Sequence, residues 1–217
     1  MSLTAPDIFE FWRAIPPDAH VHPSDEAIFD RVPRHGFDLS LLPGCFMGPL
    51  RSAPVVLLFL SPGRGDDDQP DPDLIDWHVR TRNGREPLVS ASTHAGAYKW
   101  WTERTALFGE PRELAGKVAI LNIGAYHSKA FMDHGLLAAL PSSRISLGWA
   151  QGTLFPSAER GEKVVICLRA ARYWGLQAGK SDYAGTLFAP NVTRSGHMHK
   201  VERDRIVAAV RHVLASN

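Results

Sequence analysis

The sequence predicts an α/β protein: a three-layer α/β/α sandwich around a central, mainly parallel four-stranded sheet. Three observations lead there. Four short runs, "PVVLLFLS" from Pro54, "KVAILNIGA" from Lys117, "KVVICLR" from Lys163 and "GTLFAP" from Gly185, are mostly apolar without strict alternation, as strands buried on both faces read. Helical patterns lie between and around them, which supplies the long crossovers that parallel strands need. At 217 residues the chain fits one such domain, 1–217.

Each element follows from its own stretch. "PDIFEFWRAI" from Pro6 and "SDEAIFDRV" from Ser24 read as short amphipathic helices, the second with Ser24 as its N-cap. With the Pro- and Gly-broken "LLPGCFMGPL" they form an N-terminal helical extension, residues 1–50, packed on the sheet domain. Residues 61–96, rich in Asp, Pro, Gly, Arg and Ser, read as a long surface excursion with little regular structure, and loops of that length tend to be functional. "YKWWTERTALFG", "SKAFMDHGLLAAL" and "SRISLGWAQGTLF" are helical; the chain closes on "KVERDRIVAAVRHVL", where Ile206, Val207, Val210, Val213 and Leu214 recur at helical spacing.

Composition excludes several classes. With 44% hydrophobic and 22% charged residues the chain is ordinary globular material. No apolar run is long enough to span a bilayer and "MSLTAPDIFEFW" is no leader, so the expected location is cytoplasmic, without a membrane partner. Cys167 sits in a buried strand, so a disulfide with Cys45 is not expected, and two cysteines cannot build a Cys-rich zinc site. No cofactor is implied. Residues 144–217 carry eleven Lys/Arg against five Asp/Glu, a basic third that offers a footprint for DNA phosphates or simply a solvated face.

In such sheets ligands sit at the carboxyl ends of the strands, and the chemistry-bearing residues cluster there. "SPGRGDDD" after the first strand is no phosphate cradle, because aspartates stand where a P-loop has Lys-Ser/Thr. Asp66, Asp67 and Asp68 are adjacent and diverge in an extended loop, so they read as an exposed acidic turn rather than a metal site. "DAHVHP" places His20 and His22 in a His-x-His pair, the zinc pattern of amidohydrolase barrels, but no strand precedes it. "LNIGAYHSK" ends a strand on Asn122 and follows it with Tyr126, His127 and Ser128. An Asn amide offers a donor and an acceptor, as reading a nucleobase edge requires, unless the backbone takes both. "APNVTRSGHMHK" packs Asn191, Thr193, Arg194, Ser195, His197 and His199 at the last strand's end, with Ser195 a candidate cap for the final helix.

Together these positions resemble the uracil-DNA glycosylase superfamily. Its first motif follows the first core strand as Gly-Gln-Asp-Pro-Tyr, Gly-Ile-Asn-Pro-Gly or Gly-Glu-Ala-Pro-Gly in different branches, and "FLSPG" (Phe59 to Gly63) is similar. "ILNIG" places Asn122 where the family has its base-recognising Asn; "APNVT" is similar to the family's closing His-Pro-Ser or Asn-Pro-Ser, with His197 the alternative if the loop is shifted. The resemblance runs from about Val55 to the C-terminus. It implies a base extruded into a strand-end pocket and glycosidic cleavage through a cationic sugar. On that basis Ser61, Asp66, Asn191 and His197 are the candidate catalytic residues. Pro62, Gly63, Asn122, Tyr126, His127, Thr193 and Ser195 are the candidate substrate-binding residues. Ser61 replaces the family's water-placing Asp or Asn, with Asp66 as a substitute further along, and Val192 replaces its Pro. Losing one such electrostatic group costs about 10²- to 10³-fold in rate, so two readings stand: a diverged glycosylase, or a non-catalytic nucleic-acid or nucleotide-binding module. A metal-dependent hydrolase using His20, His22 and the aspartates is a weaker third.

Overall fold

The computed structural model describes residues 7–65, 71–129, 134–180, 182–193 and 196–216. In chain order the elements are α1 (Ile8–Arg13), α2 (Pro23–Arg31), β1 (Phe46–Met47), β2 (Val55–Phe59), a 3-10 turn (Pro72–Leu74), α3 (Ile75–Thr81), α4 (Ala95–Thr105), α5 (Pro111–Leu114), β3 (Val118–Asn122), α6 (His134–Ala139), α7 (Pro141–Trp149), a π-helical turn (Ala150–Leu154), α8 (Phe155–Glu159), β4 (Val164–Cys167), a second 3-10 turn (Ala171–Trp174), β5 (Leu187–Phe188) and α9 (Lys200–Ser216). The sheet order is β1-β3-β2-β4-β5. β3, β2, β4 and β5 run parallel to one another; β1 is antiparallel to β3, pairing Phe46 with Leu121 and Met47 with Ile120.

The mixed α/β class holds, and both faces of the sheet are covered. Alternate residues of each strand enter different cores, as the two-residue side-chain period requires. Val56, Leu58, Ala119 and Leu121 pack with residues of α1, α6, α7 and α8. Val55, Leu57, Phe59, Val118 and Ile120 pack with residues of α4, α5 and α9. Every residue of β2 and β3 is buried, which is why these runs read as continuously apolar.

The four predicted strands form, and a fifth joins them. β1 comes from "LLPGCFMGPL", whose Gly and Pro content reads as a loop because only two residues pair. Gly48 ends it at φ +87, where an added Cβ would lie 2.5 Å from the Val118 carbonyl oxygen, so only glycine fits. The N-cap of α2 is His22 rather than Ser24: the ring Nδ1 accepts from Ser24 N at 3.2 Å, and Pro23 takes the first helical position, where its missing N–H costs nothing. Residues 61–96 carry more regular structure than expected. Asp71 caps the turn at Pro72 by accepting from Asp73 N at 2.9 Å, and the apolar Ile75 and Trp77 then run into α3. The π-helical turn lets the chain pass from α7 into α8 although Pro156 cannot donate a helical hydrogen bond.

The N-terminal helices join this core through a buried polar hub. Asp25, fully buried, accepts from Tyr126 Oη at 2.6 Å and from Ser142 N at 3.0 Å, so one carboxylate ties α2, the loop after β3 and the start of α7. Such charge-assisted bonds are the strong ones, and here the anion also meets the positive end of α7. Next to it His22 Nε2–H donates to Phe11 O at 3.1 Å, and the ring stacks on Phe11 with centroids 3.8 Å apart. Both cysteines are free, and burial pushes each thiol up to about 12. Among the described residues no helix is long and apolar enough to cross a membrane.

Tyr126→Phe removes one bond to a buried carboxylate while keeping the ring. The expected loss is about 1.5 to 3 kcal/mol in urea unfolding. An unchanged denaturation midpoint would remove the hub from the account of stability.

Candidate functional site

A cavity of about 920 Å³ opens at the carboxyl ends of β2 and β3. Four segments wall it: residues 41–47, the turn Ser61–Gly65, the face of α3 bearing Trp77 and His78, and the first turns of α4 up to Trp100. That size is within the range of about 300 to 1,000 Å³ typical of small-molecule pockets, and an apolar lining with a few polar groups is their usual composition.

Asn122 stands in this wall, 7% exposed. Its Nδ2 donates to Gly44 O at 2.8 Å, and since a carbonyl can only accept, this bond fixes which end of the amide is nitrogen. Its backbone N donates to Cys45 O at 2.7 Å. The Oδ1 takes no hydrogen bond from a described residue. Half of the amide is therefore structural and the other half is an open acceptor in a cavity wall.

The turn after β2 is stitched to the loop after β3. Ser128 N donates to Pro62 O at 3.1 Å, and His127 Nδ1–H donates to Gly63 O at 2.7 Å. Arg64 adds an ion pair with Asp38 at 2.6 Å. Bonds from Ser40 Oγ, from Arg64 and from Ser40 N hold the Asp38 carboxyl well below the usual carboxylate range. A Cβ at Gly63 would meet nothing within 4 Å. The backbone does not require glycine there, and the space beside it is open.

Four histidines, His20, His78, His94 and His127, also line the cavity, together with Arg82. Burial first, then the neighbouring His127, Arg82 and His94, push His78 down to about 3. Arg82 is 7% exposed, and its guanidinium donates to the carbonyls of Ile15, Pro16 and Pro17, each at 3.1 Å. No group of three metal-ligating side chains forms among the described residues.

Of the sequence-predicted site residues, Ser61, Pro62, Gly63, Asn122 and His127 come together in this cavity. Tyr126 does not: it is fully buried in the Asp25 hub, and its hydroxyl is pushed far above the usual range by burial and then by Asp25. Asn191, Thr193 and His197 are exposed in a turn of their own, in which Thr193 N donates to His197 O at 2.9 Å and Thr193 Oγ1 accepts from His197 N at 3.2 Å. They are not among the residues lining the cavity. Asp66 and Ser195, like Asp67, Asp68 and Arg194, lie outside the described residues. His20 lines the cavity but His22 is committed to Phe11 and Ser24, so the His-x-His pair does not converge. Sequence reasoning missed Arg82, His78, His94 and the aromatic wall of Trp77 and Trp100. Their only signal was the length of the 61–96 segment directly after a strand.

These features define an α/β sandwich with a cavity at the strand ends. No family model matches the chain, and neither a curated protein nor a solved structure does.

His78 has a consequence for acid stability. It stays neutral in the folded chain down to about pH 3, whereas the unfolded ring takes a proton near 6.5. Because the folded value is depressed, the unfolded state binds more protons in this window; stability is complete above pH 6.5 and falls as the pH drops toward 3. His78→Gln should therefore shrink the stability difference between pH 7 and pH 4 by on the order of 2 to 3 kcal/mol. Denaturant unfolding of both proteins at the two pH values checks this, and an unchanged difference would contradict it.

Proposed function

We propose that this chain is a diverged glycosylase-like protein that takes a nucleobase into the cavity at the ends of β2 and β3. The observation that carries the reading is Asn122: a largely buried amide in the cavity wall, anchored by Nδ2 to Gly44 O and with its Oδ1 open. Such an acceptor selects a ring N–H or amino group on a base edge. Trp77 and Trp100 supply apolar faces against which a planar ring packs. Ser61, Pro62 and Gly63 form the floor, and His127, hydrogen-bonded to Gly63 O, is placed to orient it. In this reading the reaction would be hydrolysis of an N-glycosidic bond in damaged DNA, with the basic C-terminal third as the contact to phosphates.

One observation favours the second reading, a binding module without catalysis on the same fold. Asn191, Thr193 and His197, the candidates for stabilising a departing base, are exposed outside the cavity lining. The metal-hydrolase reading loses support, because His22 is used within the fold.

Oligonucleotides carrying uracil, hypoxanthine or mismatched bases, incubated with the protein and probed for abasic sites, test the catalytic claim. Tryptophan fluorescence with free bases tests binding in parallel. Cleavage supports the first reading; base binding without cleavage supports the second; neither result on any substrate defeats both.

Gly63→Leu separates pocket from fold. The substituted side chain enters open space, so stability should change by no more than about 0.5 kcal/mol, while base binding falls at least about tenfold. Unchanged base affinity in a folded Gly63→Leu protein would place the ligand elsewhere.

A further inference from the structure

We infer that the cavity takes its base as a free nucleoside, not as part of a nucleotide or a nucleic acid, with Asp18 and Asp71 at its mouth accepting from the sugar hydroxyls. The base half of this assignment rests on the reading of Asn122 given above, where the base belongs to DNA; the sugar half does not. A cavity of about 920 Å³ has room for a sugar beside the base.

The charged side chains that the cavity leaves open are carboxylates. Asp18 and Asp71 line it and are exposed, which puts them at its mouth. Asp18 makes no hydrogen bond or ion pair with a described residue. Asp71 spends Oδ1 on Asp73 N at 2.9 Å, and its Oδ2 accepts from no described residue. Deeper in the same wall, and independently of them, stands the Asn122 amide, 7% exposed, with Nδ2 tied to Gly44 O and Oδ1 open. A ligand that satisfies these groups brings donors at both ends.

The two arginines of the described lining are committed elsewhere. Arg64 pairs with Asp38 at 2.6 Å and gives Nη1 to Gly65 O at 2.9 Å. Arg82, 7% exposed, turns its donors to the carbonyls of Ile15, Pro16 and Pro17. Between Gly65 and Asp71, both in the lining, the sequence is Asp-Asp-Asp-Gln-Pro, which contributes no basic side chain. Asp73 and Asp76, both exposed, follow directly. A phosphate brings only acceptors and a like charge to such a mouth, so the carboxylates repel it. A sugar hydroxyl donates, and its bond to a carboxylate is charge-assisted.

Calorimetric titration of the full chain at pH 8, where histidine rings are ordinarily neutral, tests this with uracil, hypoxanthine, uridine, inosine, the two 5′-monophosphates and a single-stranded oligonucleotide. Each nucleoside should bind about tenfold tighter than its monophosphate, and the gap should narrow in about 0.5 M salt, which screens the repulsion. The 2′,3′-dideoxynucleoside, which lacks the donating hydroxyls, should bind about tenfold more weakly than the nucleoside. Asp18→Asn combined with Asp71→Asn keeps the side-chain shapes and the cap on Asp73 N, and should bring monophosphate and nucleoside within about twofold of each other. A monophosphate or oligonucleotide that binds as tightly as the nucleoside overturns the nucleoside assignment while the reading of Asn122 stands. So does binding of the free bases with the nucleosides excluded. A gap that survives in the folded double variant, or a dideoxynucleoside that binds as well as the nucleoside, overturns the role of the two carboxylates. No binding of any base or nucleoside sinks the reading of Asn122 and the nucleoside with it.

Discussion

The double attachment of Asn122 to the 44–45 segment is the constraint on which the site depends. Its backbone N–H holds Cys45 O and its side chain holds Gly44 O, while Gly44 N donates to Ala125 O. Those bonds bring a Pro- and Gly-rich loop alongside β3, where two residues suffice to make β1. Without them β3 would be the exposed edge of the sheet, and residues 41–47 would have no fixed place as a cavity wall. An asparagine in a buried strand is costly unless paired, and here the pairing is what builds the pocket. The same side chain thus closes the sheet on one side and presents an acceptor on the other.

The Asp25 hub performs a related task at a distance. By accepting from Tyr126 Oη and Ser142 N, it fixes the loop after β3 from behind, while His127, one residue on, bonds to Gly63 O in front. The loop is therefore held on both sides by groups of different elements. Arg82 extends the scheme to the N-terminal helices, because its three carbonyl bonds position residues 15–17 just ahead of Asp18 and His20 at the cavity wall. Burying a guanidinium for this purpose leaves a positive charge beside the cavity.

Most of the sheet was legible in the sequence because buried parallel strands announce themselves as apolar runs, and β2, β3, β4 and β5 coincide with the four runs identified. β1 was not, since an element of two residues held by another residue's side chain leaves no periodic trace. In the site, Ser61, Pro62, Gly63, Asn122 and His127 were legible by their place just after strands. Tyr126 shares that place but turns inward, a difference of one position that no spacing rule resolves. His78, His94 and Arg82 were hidden because α3 lies within a segment whose Asp, Pro and Gly content argues for loop. There local composition lost to tertiary packing of Trp77 and its neighbours.

Strand order explains why the polar cluster at the end of β5 stands apart from the cavity. With the order β1-β3-β2-β4-β5, the cavity sits over β3 and β2, and β4 separates β2 from β5. A residue after β5 can act at the cavity only if its loop crosses the end of β4. The chain does turn back that way: a Cβ built at Gly196 would lie 3.4 Å from the ring of Phe59, the last residue of β2, and Phe59 in turn packs against Trp100 of the cavity wall, with centroids 4.9 Å apart. The β5 loop therefore reaches the site's outer layer through apolar contact, while its described polar residues, Asn191, Thr193 and His197, remain exposed. In this arrangement the recognition proposed for Asn122 and any chemistry from the last loop would be separable functions. The first needs only the pocket; the second needs that loop to bring a polar group past Phe59 and Trp100.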